Sequence, residues 1–187
     1  MTPGPVAEPD DVPVLVVVTG RPGTGKTTLA RRLARALRAA YVRVDAIEAA
    51  LGAGDARSAG PEGYAVAHLL ARSTLELGGD VVVDAVCPVP ESRSAWADTA
   101  RAAGARPVVL ETVLADAAEH RRRVEARRPD LPGQRVPTWQ DVALGGYASW
   151  DEARDGVRTP VATTSSDDAL TTALRTVGPR GRARPVR

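Results

Sequence analysis

Residues 20–28, GRPGTGKTT, constrain the fold of this chain more than any other stretch. They follow an apolar run at residues 14–18, and they fit the pattern G-x-x-x-x-G-K-[ST]. In that pattern the glycines let backbone N–H groups wrap phosphates, and the lysine reaches the β and γ phosphates. The matching positions are Gly20, Gly25, Lys26 and Thr27. The sequence therefore predicts a phosphate-binding loop between a buried strand and a helix, the alternative being a glycine-rich turn without a ligand.

A helical pattern follows the loop, so the N-terminal end of that helix would face the bound phosphates. Lys26 is the only lysine among 25 basic residues. Lysine and arginine are not interchangeable where a compact ammonium must fit between phosphates. The expected ligand is ATP, and the residues predicted to bind it are Gly20, Pro22, Gly23, Thr24, Gly25, Lys26, Thr27 and Thr28.

The composition fits one cytoplasmic domain of 187 residues, with 43% hydrophobic and 26% charged residues. We expect a flexible arm at residues 1–11, the P-loop domain at 12–177 and a flexible basic tail at 178–187. The net charge of +2 owes much to that tail, so we expect no nucleic-acid partner. The longest apolar stretch, near residues 12–19, is too short to span a membrane. With a single cysteine, an internal disulfide is excluded.

Strand patterns alternate with helix patterns along the chain. Strands are predicted at residues 13–19, 41–44, 81–83, 106–110 and 157–163, and helices at 46–51, 64–77, 91–103, 115–128 and 167–177, besides the helix after the P-loop and a short one capped by Thr138. Residues 52–63 are predicted to form a mobile cover. This alternation predicts a three-layer α/β/α P-loop NTPase fold with a five-stranded parallel sheet and ligands at the carboxyl ends of the strands.

Two acids lie where such a sheet presents its site, because Asp45 follows the second predicted strand and Asp84 follows the third. A carboxylate at the first position can accept the proton of an attacking hydroxyl. One at the second can hold Mg²⁺ together with Thr27, whose hydroxyl follows the P-loop lysine. The alternative is that each aspartate caps the helix after it. Thr27 and Asp84 are therefore the predicted metal ligands, and Mg²⁺ is the predicted metal.

The helix predicted at residues 115–128 is rich in arginine. Arg123 and Arg127 are four residues apart, share one face and could neutralise the charge of a transferring phosphoryl group as a lid. The alternative is a solvated basic face. Together with Lys26 and Asp45, these two arginines are the predicted catalytic residues.

Taken together, these segments resemble the small P-loop kinases related to chloramphenicol phosphotransferase, zeta toxin and polynucleotide kinase. The resemblance rests on the P-loop, residues 44–48 (VDAIE), residues 83–85 (VDA), Arg93 and the arginine-rich helix. It implies a fold like that of nucleoside monophosphate kinases and implies that Asp45 is the general base. It also implies a lid arginine within residues 121–127 and a contact between Arg93 and substrate or phosphate.

The chain departs from this family pattern at two places. Polynucleotide kinases resemble D-x-x-R after the second strand, whereas this chain has Glu48 at the arginine position. An acid there would repel a nucleic-acid phosphate and favours a neutral or cationic hydroxyl compound, such as an antibiotic or a sugar. Related sequences look as though they prefer asparagine at the position of Cys87. The residues predicted to bind the acceptor are Asp45, Glu48, Tyr64, His68 and Arg93.

The function predicted from the sequence is therefore ATP-dependent transfer of the γ-phosphoryl group to a small-molecule hydroxyl, with self-resistance to an antibiotic as one form of it. Two alternatives stay open: an NTP-binding regulatory ATPase without transfer, and a nucleotide or polynucleotide kinase. Both a monomer and a dimer are compatible with the sequence.

Overall fold

The computed structural model describes residues 12–52 and 62–179, and in these the chain forms one five-stranded, all-parallel sheet. The strands are β1 Val14–Thr19, β2 Ala40–Arg43, β3 Val81–Asp84, β4 Arg106–Val113 and β5 Thr159–Ala162, in the order β2-β3-β1-β4-β5. The helices are α1 Lys26–Leu37, α2 Val44–Ala50, α3 Glu62–Glu76, α4 Pro90–Ala102, α5 Ala117–Glu125, α6 Trp139–Leu144, α7 Glu152–Asp155 and α8 Ser166–Val177.

Strand β1 lies at the centre of the sheet and is buried over its whole length. Its alternate side chains face opposite sides, as in any strand. Val16 and Val18 pack into a core with α1 and α8, while Leu15 and Val17 pack into a second core with α3 and α4. A parallel sheet covered on both faces explains why this strand reads as a continuous apolar run. The predicted three-layer fold is confirmed.

The register of the sheet brings the predicted site residues to one edge. Val18 of β1 pairs with Asp84 of β3, and Asp84 in turn pairs with Arg43 of β2. The P-loop leaves the same edge of the sheet after Thr19, so all three carboxyl ends meet there. The prediction that this edge carries the candidate site residues follows directly from this pairing.

Several element boundaries differ from the sequence prediction. Strand β2 ends at Arg43, and Asp45 lies in the first turn of α2 instead of closing the strand. Helix α5 is shorter than predicted at both ends: Asp116 caps its start, accepting hydrogen bonds from the amides of Ala118 and Glu119, and its last residue is Glu125. Arg127 consequently lies in the loop after α5. Thr138 caps α6 as predicted.

Some predictions fall on residues that the structure does not describe. The arm at residues 1–11 and most of the tail, residues 180–187, lie outside the described residues, as does most of the proposed cover, residues 53–61. Glu62 and Gly63, assigned to that cover, belong to α3. Within residues 12–52 and 62–179, no helix has both the length and the apolar character needed to cross a bilayer.

Candidate active site

The P-loop curls between β1 and α1 through three glycines with positive φ angles, Gly20 at 135°, Gly23 at 82° and Gly25 at 92°. L side chains rarely adopt such angles, so glycine is required on conformational grounds. Space is also restricted: a Cβ on Gly20 would lie 2.5 Å from Thr112 Oγ1, and one on Gly23 would lie 2.5 Å from Val124 Cγ2. The loop is therefore packed closely against β4 and α5.

Side chains from distant elements hold the P-loop backbone in place. Thr163 donates a hydrogen bond to the carbonyl of Thr24 at 2.6 Å, and the hydroxyls of Thr24 and Thr112 are 2.6 Å apart. From α5, Nε2 of His120 lies 2.8 Å from the carbonyl oxygen of Pro22. The loop thus has a defined shape before any phosphate binds, and its amides need little reorganisation to bind one.

Lys26 is the first residue of α1 and is only 8% exposed. Its Nζ donates a hydrogen bond to the carbonyl of Arg21, 3.0 Å away. Burial lowers the pKa of the ammonium, and the nearby Asp84 and Asp45 oppose that shift. The ammonium is held inside the loop, where phosphate oxygens are stronger acceptors than the single carbonyl it now contacts.

A cavity of about 450 Å³ lies over the P-loop. Its described lining is dominated by cationic side chains, namely Lys26, Arg31, Arg43, Arg122, Arg123, Arg127 and Arg128, and it includes a single acid, Asp130. Such a concentration of positive charge favours a polyanionic ligand. Glu119 pairs with Arg122 and Arg123 on α5, and these pairs hold its carboxyl pKa at about 2.

Asp45 lies between two arginines that line this cavity. Its Oδ2 is 3.6 Å from Nη2 of Arg43 and 3.6 Å from Nη2 of Arg127, and it accepts a 3.2 Å hydrogen bond from Gln134. Helix α2 begins after Arg43 without a side-chain cap. The alternative assignment of Asp45 as a helix cap is therefore not what the structure has, and its carboxylate faces the groups that line the cavity.

Asp84 is buried at the end of β3, 4% exposed. It accepts a 2.9 Å hydrogen bond from the hydroxyl of Tyr41 and lies 3.8 Å from Nε of Arg43. Burial and this carboxylate raise the pKa of the Tyr41 hydroxyl, which stays a donor. The next helix starts only at Pro90, so Asp84 does not act as its cap.

The two predicted metal ligands are both oxygen donors near the phosphate site. Thr27 lines the cavity, and Asp84 interacts electrostatically with Lys26 at the same edge of the sheet. Within the described part of the chain, no group of three or more His, Cys, Asp or Glu is placed to hold a metal ion. A hydroxyl and a carboxylate fit Mg²⁺, which keeps several water ligands and is commonly bound through substrate phosphates.

The lid, by which we mean α5 and the loop that joins it to α6, contributes an acid that the sequence analysis missed. Asp130, in the loop after α5, accepts hydrogen bonds from Nη1 and Nη2 of Arg43 at 2.7 and 2.8 Å and from Nη2 of Arg31 at 3.1 Å. Arg43 is the main cause that holds the pKa of the Asp130 carboxyl at about 2. We call Arg31, Arg43 and Asp130 the lid clasp. No local pattern marks it, since its members lie 87 and 99 positions apart in sequence.

A smaller cavity of about 240 Å³ adjoins the P-loop on the side of β5. Its lining residues are Gly25, Thr28, Leu29, Arg123, Thr163, Thr164, Ser166 and Ala169. Arg123 borders both cavities and donates a 3.1 Å hydrogen bond to the carbonyl of Thr163. The sequence reading missed the β5–α8 residues, although they are the part of the site that continues from Thr28 away from the lid.

Among the predicted acceptor residues, Glu48 and Tyr64 lie near Asp45. Glu48 packs under the start of α3, where a Cβ on Gly63 would lie 2.4 Å from its Cγ, and burial followed by Asp45 raises its pKa. The hydroxyl of Tyr64 accepts a hydrogen bond from the amide of Cys87 at 3.3 Å. Both remain predictions as acceptor-binding residues.

His68 and Arg93 lie elsewhere, and their geometry does not support the predicted contact with an acceptor. Nδ1 of His68 is 2.8 Å from the Thr99 hydroxyl, and its ring stacks on Trp96 at 3.8 Å between α3 and α4. Burial lowers the pKa of His68. His68 therefore has a packing role, because its two contacts, Thr99 and Trp96, both lie on α4 and join that helix to α3.

Arg93 is buried, and the structure gives it a bracing role. Its guanidinium pairs with Asp155 at 2.6 Å and stacks near Tyr147 and Trp150, with centroid distances of 5.2 and 4.7 Å. Its remaining donors bind backbone carbonyls of Cys87, Pro88, Ala148 and Ser149. A guanidinium has five N–H donors, and these contacts occupy them, so the predicted contact with substrate or phosphate lacks a donor.

The sheet order, the P-loop and the arginine-rich lid define a P-loop kinase fold. The family model described as AAA domain, AAA_33, matches residues 15–142, more than half of the chain, and the chain belongs to that family. No curated protein matches it significantly. The resemblance to the small P-loop kinases inferred from the sequence is confirmed.

Solved structures of the same fold cover nearly all of the described chain. Kti12 from Chaetomium thermophilum, in complex with ADP-AlF3, is 20% identical with a TM-score of 0.64, and the match covers 88% of this chain and 100% of that chain. For the APS kinase CysC from Mycobacterium tuberculosis, in complex with AMPPNP and APS, the values are 19%, 0.64, 89% and 98%. For a gluconokinase from Sinorhizobium meliloti 1021 they are 14%, 0.63, 89% and 92%.

Proposed function

We propose that this protein is an ATP- and Mg²⁺-dependent phosphotransferase that moves the γ-phosphoryl group of ATP to a hydroxyl of a small molecule. The observation that carries the proposal is the position of Asp45, 3.6 Å from both Arg43 and the lid residue Arg127, two arginines that line the cationic cavity over Lys26. A phosphate cradle alone suits switches and motors as well. A carboxylate beside the cradle and beneath the lid is what hydroxyl activation requires.

Each part of the site has a role in that reaction. The P-loop amides and Lys26 hold the phosphates, and Asp45 orients the acceptor hydroxyl and takes its proton. As the phosphorus–oxygen bond to the ADP leaving group breaks and the bond to the acceptor oxygen forms, Arg127 neutralises charge on the transferring group. Thr27 and Asp84 would hold Mg²⁺, which supplies positive charge to the phosphate oxygens.

Two lines of comparison agree with this proposal. The chain belongs to a family of P-loop domains, and the structural neighbours include a gluconokinase and an APS kinase bound to AMPPNP and APS. Phosphoryl transfer depends mainly on positioning and charge neutralisation, so the same scaffold accepts different hydroxyl compounds. The self-resistance role predicted from the sequence is the form of this proposal in which the acceptor is an antibiotic.

The decisive experiment compares Asp45→Asn with the wild type in a coupled ADP-release assay over a panel of hydroxyl compounds that includes antibiotics, sugars and hydroxy acids. We expect kcat to fall by about 10²–10⁴-fold, as for loss of a general base, while the affinity for Mg·AMPPNP is retained. The matched control is Asp98→Asn, which removes an exposed aspartate that pairs with Arg101 on α4 and is not among the described residues lining the cavity.

Transfer that continues in Asp45→Asn at close to the wild-type rate would show that this carboxylate is not the base. ATP hydrolysis that no hydroxyl compound stimulates would instead favour the regulatory ATPase. Saturable binding of an oligonucleotide, followed by labelling of its end from γ-labelled ATP, would favour the polynucleotide kinase.

A further inference from the structure

The lid clasp is a cluster of three charged side chains in which Arg43 and Arg31 both bind one carboxylate. The Arg43 side chain is 3% exposed, and its two terminal nitrogens converge on the Asp130 carboxylate at 2.7 and 2.8 Å. This two-point contact matches the planar geometry of a carboxylate and equally fits two oxygens of a phosphate. Arg31 provides a further donor at 3.1 Å.

The carboxylate that fills this site comes from a different part of the fold than the arginines. Arg31 is on α1 and Arg43 ends β2, so both belong to the packed sheet and its covering helix. Asp130 lies in the loop between α5 and α6, and its side chain is 39% exposed. Arg43 is buried in the packed sheet, whereas the acid sits on a surface loop, where a ligand anion can replace its carboxylate without a change in the position of Arg43.

The oxyanion site also adjoins the proposed base. Nη2 of Arg43 lies 2.8 Å from Asp130 Oδ1 and 3.6 Å from Asp45 Oδ2. Both carboxylates are therefore within reach of one guanidinium group, and Arg43 lines the same cavity as Lys26 and Thr27. An anion in place of Asp130 would hold its molecule beside Asp45 and facing the phosphates.

We infer that the acceptor carries an anionic group, a carboxylate or a phosphate, which binds Arg43 and Arg31 in place of the Asp130 carboxylate. The acceptor hydroxyl is then only a few bonds from the anionic group, because a single guanidinium spans the two positions. A small hydroxy acid or a sugar phosphate has this layout. The inference rests on the proposed phosphotransfer and names the class of its acceptor.

The charge of the cavity supports an anionic acceptor. Its described lining carries six arginines and Lys26 against one acid, with Asp45 and Asp84 beside it and with Glu119 paired to two of the arginines. Mg·ATP brings a net charge of about −2, so positive charge remains in excess when the phosphate site is filled. A second anion reduces that excess, and buried guanidinium groups are costly unless they are paired.

Glu48, which on sequence grounds favours a neutral or cationic acceptor, does not oppose this inference. It is absent from the described residues that line the cavity, and its side chain packs against Gly63 at the start of α3. Burial raises its pKa, as does the neighbouring Asp45. Glu48 thus neighbours the proposed base Asp45, whereas the anionic group would bind at Arg43 and Arg31.

The test measures anion binding when the P-loop is already filled. Wild-type protein saturated with Mg·AMPPNP is titrated calorimetrically with sodium acetate and, separately, with inorganic phosphate. In Asp130→Asn, where the internal competitor is neutral, we expect the dissociation constant of at least one anion to fall by about tenfold or more. Arg31→Gln added to Asp130→Asn should reverse that gain. The preferred anion separates a carboxylate acceptor from a phosphorylated one.

The matched control is Asp167→Asn, which frees Arg32, the neighbour of Arg31 on α1, from an exposed ion pair at 2.6 Å. It should leave the anion affinity unchanged. The inference is overturned if Asp130→Asn gains no saturable anion binding, or if the gain survives Arg31→Gln or also occurs in Asp167→Asn.

A turnover experiment connects the anion site to the acceptor. Each compound that the wild type phosphorylates is compared with its analogue lacking the anionic group, for example glycerate with glycerol and glucose 6-phosphate with glucose. We expect kcat/KM to be at least about tenfold higher for the anionic member. Equal or better turnover of the neutral members would refute the inference and leave phosphotransfer intact, whereas anion binding without transfer to any hydroxyl would refute the kinase function instead.

Discussion

Arg43 and Arg93 are two equally buried arginines, each 5% exposed, that belong to different kinds of site. Arg43 pairs with Asp130, whose side chain is 39% exposed, and lines the cationic cavity. Arg93 pairs with Asp155, whose side chain is 0% exposed, and braces the loop after β3 against the segment before α7. Burial of the arginine does not distinguish them. The exposure of the paired acid distinguishes the two arginines, because a solvent-exposed carboxylate is more readily replaced by a ligand than a buried one.

The first test of this comparison removes the buried ion pair of Arg93 with Asp155. Arg93→Met should lower the free energy of unfolding by about 3 kcal/mol, because it removes the buried partner of Asp155, which then keeps only the half-exposed Arg154. Urea unfolding followed by circular dichroism measures the change. The fraction that stays folded should keep the wild-type KM for ATP, since Arg93 is not among the described residues lining the phosphate cavity.

Arg101→Met is the matched control on the same helix, since Arg101 is 75% exposed in an ion pair with Asp98. It should change the unfolding free energy by less than about 0.5 kcal/mol. A stable Arg93→Met protein with a selective loss of acceptor binding would restore the sequence prediction that Arg93 contacts the substrate.

The second test concerns the arginines that line the cationic cavity. Nη2 of Arg127 lies 3.6 Å from Oδ2 of Asp45, beyond hydrogen-bond range, and Arg127 lines the cavity. Arg127→Gln should lower kcat by about 10²–10³-fold, as for loss of a group that stabilises transition-state charge, and should leave the unfolding free energy nearly unchanged. Single-turnover phosphate transfer measures the first, and urea unfolding the second.

Arg121→Gln provides the comparison, because Arg121 is 60% exposed and pairs with Glu125 along α5. Its kcat should match that of the wild type. A larger loss of kcat in Arg121→Gln than in Arg127→Gln would mean that Arg121, and not Arg127, stabilises the charge of the transferring group.

The phosphate half of the site could be predicted from sequence because its residues are consecutive. Residues 20–28 carry their own geometry, and the strand and helix around them have clear periodicity. The same local logic places Asp84 at the carboxyl end of β3, where the structure has it, since parallel register follows from alternating strands and helices. The sequence predicts that Asp45 closes the second strand, whereas it lies two residues beyond it, in the first turn of α2.

The acceptor half could not be predicted in the same way, since its contacts join remote segments. The pairing of Arg43 with Asp130 spans 87 positions, and that of Arg93 with Asp155 spans 62. Nothing local tells which buried arginine meets a lid acid and which meets a structural one. The family likeness suggested Arg93, while the chain packing brings Arg43 to the cavity.

Cys87 offers a third test, smaller in effect, on the side of Arg93. Its backbone has a φ of 46°, its carbonyl accepts from Nε of Arg93 at 3.2 Å, and its thiol is buried, which raises the thiol pKa to about 11. Cys87→Val should cost about 1–2 kcal/mol of unfolding free energy, because a β-branched residue is strained at positive φ. Cys87→Ala, without the branch, should cost less than Cys87→Val in the same urea experiment; equal costs would mean that lost packing, not backbone strain, dominates.

The smallest effect is expected from the ion pair of Arg43 with the partly exposed Asp130. Asp130→Asn should change the unfolding free energy at pH 7 by less than about 1 kcal/mol, because the carboxylate is partly exposed and Arg43 keeps Asp45 and Asp84 nearby. The Asp130 carboxyl has a pKa lowered from 3.8 to about 2 by Arg43, so its contribution is complete above pH 4 and is lost as the pH falls toward 2. The difference between wild type and variant should therefore be constant from pH 7 to about pH 4 and shrink below it. A difference that grows on acidification, measured by urea unfolding at each pH, would show that Asp130 is not held as a carboxylate by the clasp.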